Sequence, residues 1–124
     1  MPTNTWVLYL GKWYFVDASG AKKTNSWVQT NKKWYYVDAT GVMKTNSWIQ
    51  TNGKWYFVDG NGVMKTSSWV QSSGKWYYLN ADGSMATGWI KVSNKWYYLY
   101  KEGHMAANTM IGKYKIGKDG AWIQ

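Results

Sequence analysis

Short runs of alternating apolar and polar residues recur along this chain, separated by turn-forming pairs. In the middle of the sequence Trp48-Ile49-Gln50-Thr51 and Lys54-Trp55-Tyr56-Phe57-Val58 flank Asn52-Gly53. Aromatic and β-branched residues favour strands, and Asn-Gly suits a two-residue type I′ turn because both of its central positions take positive φ. Equivalent turns fall at Leu10-Gly11, Asn31-Lys32, Ser73-Gly74 and Ser93-Asn94. Each segment therefore predicts one two-stranded hairpin, and a connection such as Asp59 to Ser68, punctuated by Gly60 and Gly62, leads to the next.

The spacing makes the hairpins a repeat. Trp6, Trp27, Trp48 and Trp69 recur every 21 residues, and Trp89 follows after 20 because its connection is one residue shorter. A second series, Trp13, Trp34, Trp55, Trp76 and Trp96, opens the triplets Trp-Tyr-Phe or Trp-Tyr-Tyr. Glycines 20, 41, 62, 83 and 103 keep phase, and Met43, Met64, Met85 and Met105 each stand two residues after one of them. Residues 1–124 thus form one repeat domain, with full repeats at about 6–26, 27–47, 48–68, 69–88 and 89–109 and a degenerate cap at 110–124. In the cap Tyr114-Lys115-Ile116 replaces the triplet and Trp122 the methionine.

Pairing Thr51 with Lys54 sets Gln50 opposite Trp55, Ile49 opposite Tyr56 and Trp48 opposite Phe57. Alternation then puts Trp48, Trp55 and Phe57 on one face and Ile49, Tyr56 and Val58 on the other. The second, more aliphatic face suits a common core, which leaves the tryptophan face available. One hairpin buries too little surface to persist in water, so successive hairpins must stack. The expected fold class is all-β, a repeat solenoid of stacked two-stranded β-hairpins.

Composition narrows the chemistry. The 124 residues hold no cysteine, so neither disulfides nor thiolate metal sites are available. The single histidine, His104, stands where other repeats have Val42, Val63 or Ser84, and reads as a loop residue rather than a general base. Asp17, Asp38 and Asp59 share one repeat position, three residues before a glycine, where the side chain can close a turn on its own backbone. No cluster has metal-ligand spacing. No enzyme activity, metal or cofactor is expected. Fifteen basic residues, all lysine, against six acidic ones give a net charge of +9, which favours polyanionic partners. Nucleic acid is disfavoured by the absence of arginine forks. Neither a transmembrane run nor a signal peptide is visible.

The 11 Trp and 11 Tyr carry the remaining signal. Two tryptophans per hairpin, turned away from the aliphatic side, leave indole rings at the junctions, where something flat or cationic can enter. Converging ring faces attract a quaternary ammonium by roughly 0.5–2 kcal/mol per good contact. A methylated ammonium donates no hydrogen bond, so an apolar cage strands no donor, and a methionine thioether can close it.

The pattern Trp-Val/Ile-Gln, three residues, Lys-Trp-Tyr-Tyr/Phe-Val/Leu, three residues, Gly-x-Met-Lys/Ala-Thr resembles the choline-binding repeat of pneumococcal and phage cell-wall proteins. The match spans residues 6 to 108, and Thr87-Gly88-Trp89-Ile90-Lys91 with Lys95-Trp96-Tyr97-Tyr98-Leu99 is its most family-like stretch. Glucan-binding and clostridial toxin repeats share the Trp/Tyr/Gly skeleton, whereas the methionine and the Lys-Trp-Tyr wording favour choline. The resemblance implies a left-handed β-superhelix that holds choline between neighbours, with two tryptophans from one hairpin and an aromatic plus a methionine from the next. Carried over, the first site takes Trp6, Trp13, Tyr36 and Met43. The second takes Trp27, Trp34, Phe57 and Met64, the third Trp48, Trp55, Tyr78 and Met85, and the fourth Trp69, Trp76, Tyr98 and Met105. The last triplet aromatic is taken here rather than the middle tyrosine (Tyr35, Tyr56, Tyr77, Tyr97) because it shares the tryptophan face. A fifth site at Trp89 and Trp96 is left open, since Lys115 or Ile116 occupies the place of the aromatic.

The resemblance further implies a non-catalytic attachment module, secreted and held non-covalently at a Gram-positive surface. Its partner is choline or phosphocholine on teichoic or lipoteichoic acid. The alternative is a glucan-binding module whose tryptophans stack on sugar rings.

Overall fold

In the computed structural model, which describes residues 2–124, all regular structure is β. Twelve strands pair in sequence order: β1 (Thr5–Tyr9) with β2 (Lys12–Val16), β3 (Ser26–Thr30) with β4 (Lys33–Val37), β5 (Ser47–Thr51) with β6 (Lys54–Val58), β7 (Ser68–Ser72) with β8 (Lys75–Leu79), β9 (Gly88–Val92) with β10 (Lys95–Leu99), and β11 (Thr109–Ile111) with β12 (Tyr114–Ile116). Each pair is an antiparallel hairpin of its own, with no wider sheet among the described residues.

The turn residues do what their pattern demands. Asn52 and Gly53 sit at φ 54° and 76°, and Leu10-Gly11, Asn31-Lys32, Ser73-Gly74 and Ser93-Asn94 also place both residues at positive φ. The register follows from the turn: Thr51 faces Lys54, Gln50 faces Trp55, Ile49 faces Tyr56 and Trp48 faces Phe57. The last hairpin is shorter by two residue pairs at its tip, running Thr109 to Ile111 and Tyr114 to Ile116 around Gly112-Lys113.

After each hairpin the chain makes a tight turn and returns as a single bridge residue. In the second repeat Asp38 donates its amide to Val42 O and Gly41 to Asp38 O, and Val37 then bridges Met43. Asp38 Oδ1 accepts the amides of Thr40 and Val42 and the Thr40 hydroxyl. Asp17 does the same with Ser19 and Ala21, so the shared aspartate position is a turn position, as its spacing predicts. Burial raises the Asp38 pKa somewhat, but the Thr40 and Val42 hydrogen bonds outweigh it and hold the carboxyl below its ordinary value. The Ser19 hydroxyl, with the Ala21 and Ser19 amides, lowers that of Asp17.

The chain divides into two compact units, the first ending at Lys65 and the second beginning at Thr66. Within each unit the aliphatic face of the hairpins is the core: Val37 and Val58 in the first, and Leu79, Leu99 and Ile116 in the second, are fully or almost fully buried. Stacking is head to tail. Phe15, on the tryptophan face of hairpin β1–β2, packs with Val28 and Val37, on the aliphatic face of hairpin β3–β4, and Trp6 covers them. A hairpin stack of this kind needs both faces of every member.

Candidate functional site

Head-to-tail stacking decides which rings meet. Trp6 lies edge-on to Phe15 of its own hairpin at 5.2 Å and to Tyr35 of the next at 5.3 Å. Trp27 stands likewise between Tyr36 of its own hairpin (5.1 Å) and Tyr56 of the next (5.4 Å). In the second unit Trp69 stands between Tyr78 (5.1 Å) and Tyr97 (5.0 Å). The ring arriving from the following hairpin is thus the middle tyrosine of the triplet.

The crossing ring therefore differs from the one in the expected sets. Tyr36, Phe57, Tyr78 and Tyr98 pack against Trp27, Trp48, Trp69 and Trp89 of their own hairpins. The face assignment behind that expectation is itself right. What it missed is that the tryptophan face of one hairpin meets the opposite face of its neighbour, so the ring crossing the junction comes from the side that carries Tyr35, Tyr56 and Tyr97. The third expected set is divided between the units, with Trp48 and Trp55 in the first and Tyr78 and Met85 in the second.

Methionine and the second tryptophan series are joined through the backbone. Met43 donates its amide to Trp13 O, Met64 to Trp34 O and Met105 to Trp76 O, each at 2.8–2.9 Å. The methionine of one repeat is thereby hydrogen-bonded beside the second-series tryptophan of the hairpin before it. Its side chain packs against the loop glycine of the repeat that follows: Met43 against Gly62, Met85 against Gly103 and Met105 against Gly120. A Cβ on any of these glycines would strike the methionine sulfur, and all three have positive φ. In the first repeat Lys22 takes the methionine position. Its stem packs on Gly41, and its ammonium lies 5.5 Å from the Tyr14 ring centroid, over a face that no earlier hairpin covers among the described residues.

Two open clefts in the second unit have the composition of a cage. One, about 290 Å³, is lined by Trp69, Trp76, Tyr97, Met105 and Asp119. The other, about 420 Å³, is lined by Trp89, Trp96, Tyr114 and Trp122. The first unit brings together Trp6, Trp13, Tyr35 and Met43, and Trp27, Trp34, Tyr56 and Met64, by the same ring and amide contacts. Trp13, Trp34 and Trp76 are about two-fifths exposed, so the walls they supply are open to solvent.

The fifth junction, left open by the sequence, has the same ring and amide contacts as the others. Tyr114 faces Ile111 as Tyr56 faces Ile49, which makes it the middle tyrosine, and it lies 5.4 Å from Trp89 and 5.2 Å from Trp122. Trp122 donates its amide to Trp96 O, as the methionines do elsewhere. Lys115 occupies the last triplet place, which the cleft does not use. The signal was present in the chain: counting back six from Gly20, Gly41, Gly62, Gly83, Gly103 and Gly120 gives Tyr14, Tyr35, Tyr56, Tyr77, Tyr97 and Tyr114.

His104 lies against Tyr100 (centroids 4.6 Å) in its loop and lines neither cleft described above. Among the described residues no group of three or more His, Cys, Asp or Glu could hold a metal ion.

Comparison with known families finds choline-binding repeats at residues 42–84 and 65–109 and the putative cell wall binding repeat at residues 4–22 and 25–43. Curated protein sequences give no match. Among solved structures, choline binding protein F from Streptococcus pneumoniae is 43% identical over 100% of this chain and 41% of its own, with TM-score 0.84. CbpJ from Streptococcus pneumoniae is 41% identical over 99% and 41%, with TM-score 0.85. The modular Cpl-1 endolysin is 36% identical over 97% and 37%, with TM-score 0.68. The chain spans about two-fifths of the length of these proteins. With its hairpins, its tryptophan phase and three repeat models in agreement, this chain belongs to the choline-binding repeat family of cell-wall-binding modules.

Proposed function

We propose that this module attaches a larger protein to a Gram-positive cell wall by holding choline or phosphocholine groups of teichoic and lipoteichoic acids in the aromatic clefts between successive hairpins. The supporting observation is the convergence, twice in the second unit, of two tryptophans from one hairpin with a tyrosine and a Met or Trp from the next around a solvent-open cleft. Such walls are electron-rich and mostly apolar. A trimethylated ammonium satisfies them and a hydroxyl-rich sugar does not, because each sugar hydroxyl brought against apolar walls loses a water hydrogen bond.

The proposed binding sets are Trp6, Trp13, Tyr35 and Met43; Trp27, Trp34, Tyr56 and Met64; Trp69, Trp76, Tyr97 and Met105; and Trp89, Trp96, Tyr114 and Trp122. The role is attachment rather than catalysis, and the chain is secreted with its cargo. Fifteen lysines and the net charge of +9 draw the module to an anionic polymer before any cleft is filled.

The test is a titration of tryptophan fluorescence with choline and, separately, with a glucan oligosaccharide. Saturation by choline alone is expected. Saturation by the oligosaccharide, with no response to choline, would overturn the reading.

A further inference from the structure

Acidic residues change place between the two units. In the first unit they stand three residues before the loop glycine, at Asp17, Asp38 and Asp59, where Asn80, Tyr100 and Gly117 follow in the second. In the second unit they stand directly before the glycine, at Asp82, Glu102 and Asp119. The move has a consequence at the cleft between hairpins β7–β8 and β9–β10. Met105 packs against Gly120, and this brings the preceding residue, Asp119, into the wall beside Trp76 and Tyr97. Asp119 Oδ1 accepts the Ala121 amide at 3.0 Å, which fixes the carboxylate at the rim. The neighbouring cleft of Trp89, Trp96, Tyr114 and Trp122 has four aromatic walls and no carboxylate.

Building on the cage reading above, we propose that Asp119 sets the charge preference of its cleft: it favours a quaternary ammonium with no adjoining anion and disfavours one that carries a phosphate. The ammonium gains a full negative charge at close range in addition to the ring faces. In phosphocholine only two carbons separate the nitrogen from the phosphate ester, so seating the ammonium brings phosphate up to the same carboxylate. At a solvent-exposed rim each effect is worth on the order of threefold in affinity, and salt weakens both. The two clefts of one unit thus read the same head group differently.

The experiment uses NMR of the labelled indole N–H groups in the full chain, assigned by single Trp→Phe changes. Trp76 reports one cleft and Trp96 the other. Asp119→Asn keeps an oxygen acceptor for Ala121 while removing the charge. The expected result is a shift in the ratio of choline to phosphocholine affinity at Trp76, about threefold or more toward phosphocholine, with the ratio at Trp96 unchanged. In the unsubstituted chain, added salt should weaken choline binding more at Trp76 than at Trp96. An unchanged ratio at Trp76 in a folded variant overturns the proposal, as does equal salt dependence of the two clefts if the variant's loop rearranges. If neither indole responds to choline in the unsubstituted chain, the cage reading itself fails, and the proposal falls with it.

Discussion

Each cleft depends on rings with unlike duties, and single substitutions separate them. Trp34 is an exposed wall, so Trp34→Ala should weaken the cleft of Trp27, Tyr56 and Met64 by about 2- to 30-fold while circular dichroism stays native. Tyr56 and Phe57 are neighbours in sequence with opposite roles. Tyr56 crosses the junction to Trp27, and Phe57 braces Trp48 within its own hairpin. Tyr56→Ala should therefore reduce choline binding at the Trp34 indole, whereas Phe57→Ala should chiefly lower the thermal midpoint. Equal effects of the two on binding would argue against the head-to-tail assignment. Alternation correctly sorts these residues into two faces but is silent on which face a neighbour presents, because strand periodicity describes one hairpin and the cage belongs to two.

At the scale of the element, the turns, strand pairs and aliphatic core were legible, since each is governed by local rules: positive φ at paired turn positions, alternation along strands, and burial of the aliphatic side. The cap is the less legible element: its hairpin lacks two pairs at the tip, so counting its triplet from the first aromatic puts Tyr114 in a tryptophan's place. Measured from Gly120 its phase is regular. The glycines also carry the connection between repeats. Gly103→Ala would set a Cβ against the Met85 sulfur at a residue with φ 102°, and should cost about 1–3 kcal/mol in a denaturant titration. Gly53→Ala, in open space at the hairpin tip, should cost only the strain of its positive φ.

For the whole molecule, the proposed clefts are several and individually modest, so on that reading they would act together. A choline-bearing polymer should bind on the order of 100- to 10,000-fold more tightly than free choline where its spacing allows simultaneous engagement, and Trp34→Ala should weaken polymer binding far more than binding at the remaining clefts. Surface plasmon resonance on immobilised polymer checks this against the monomer titration. Stability should depend on acid in one direction. Asp17 and Asp38 titrate below the ordinary value of 3.8 when folded, so their stabilising contribution is complete above that value and is lost as pH falls through the lowered folded values. The thermal midpoint should drop below about pH 4, and Asp17→Asn with Asp38→Asn should flatten that drop.

Because the crossing ring and the receiving tryptophan lie on opposite sides of every hairpin, the binding unit is the seam rather than the repeat. Copying residues 27–47 in tandem supplies both sides at once, so one insertion adds one seam and leaves the flanking ones intact. On the proposed reading, affinity for the wall would be dialled by copy number, without inventing a new pocket, and divergence at one loop position would give a single seam its own taste.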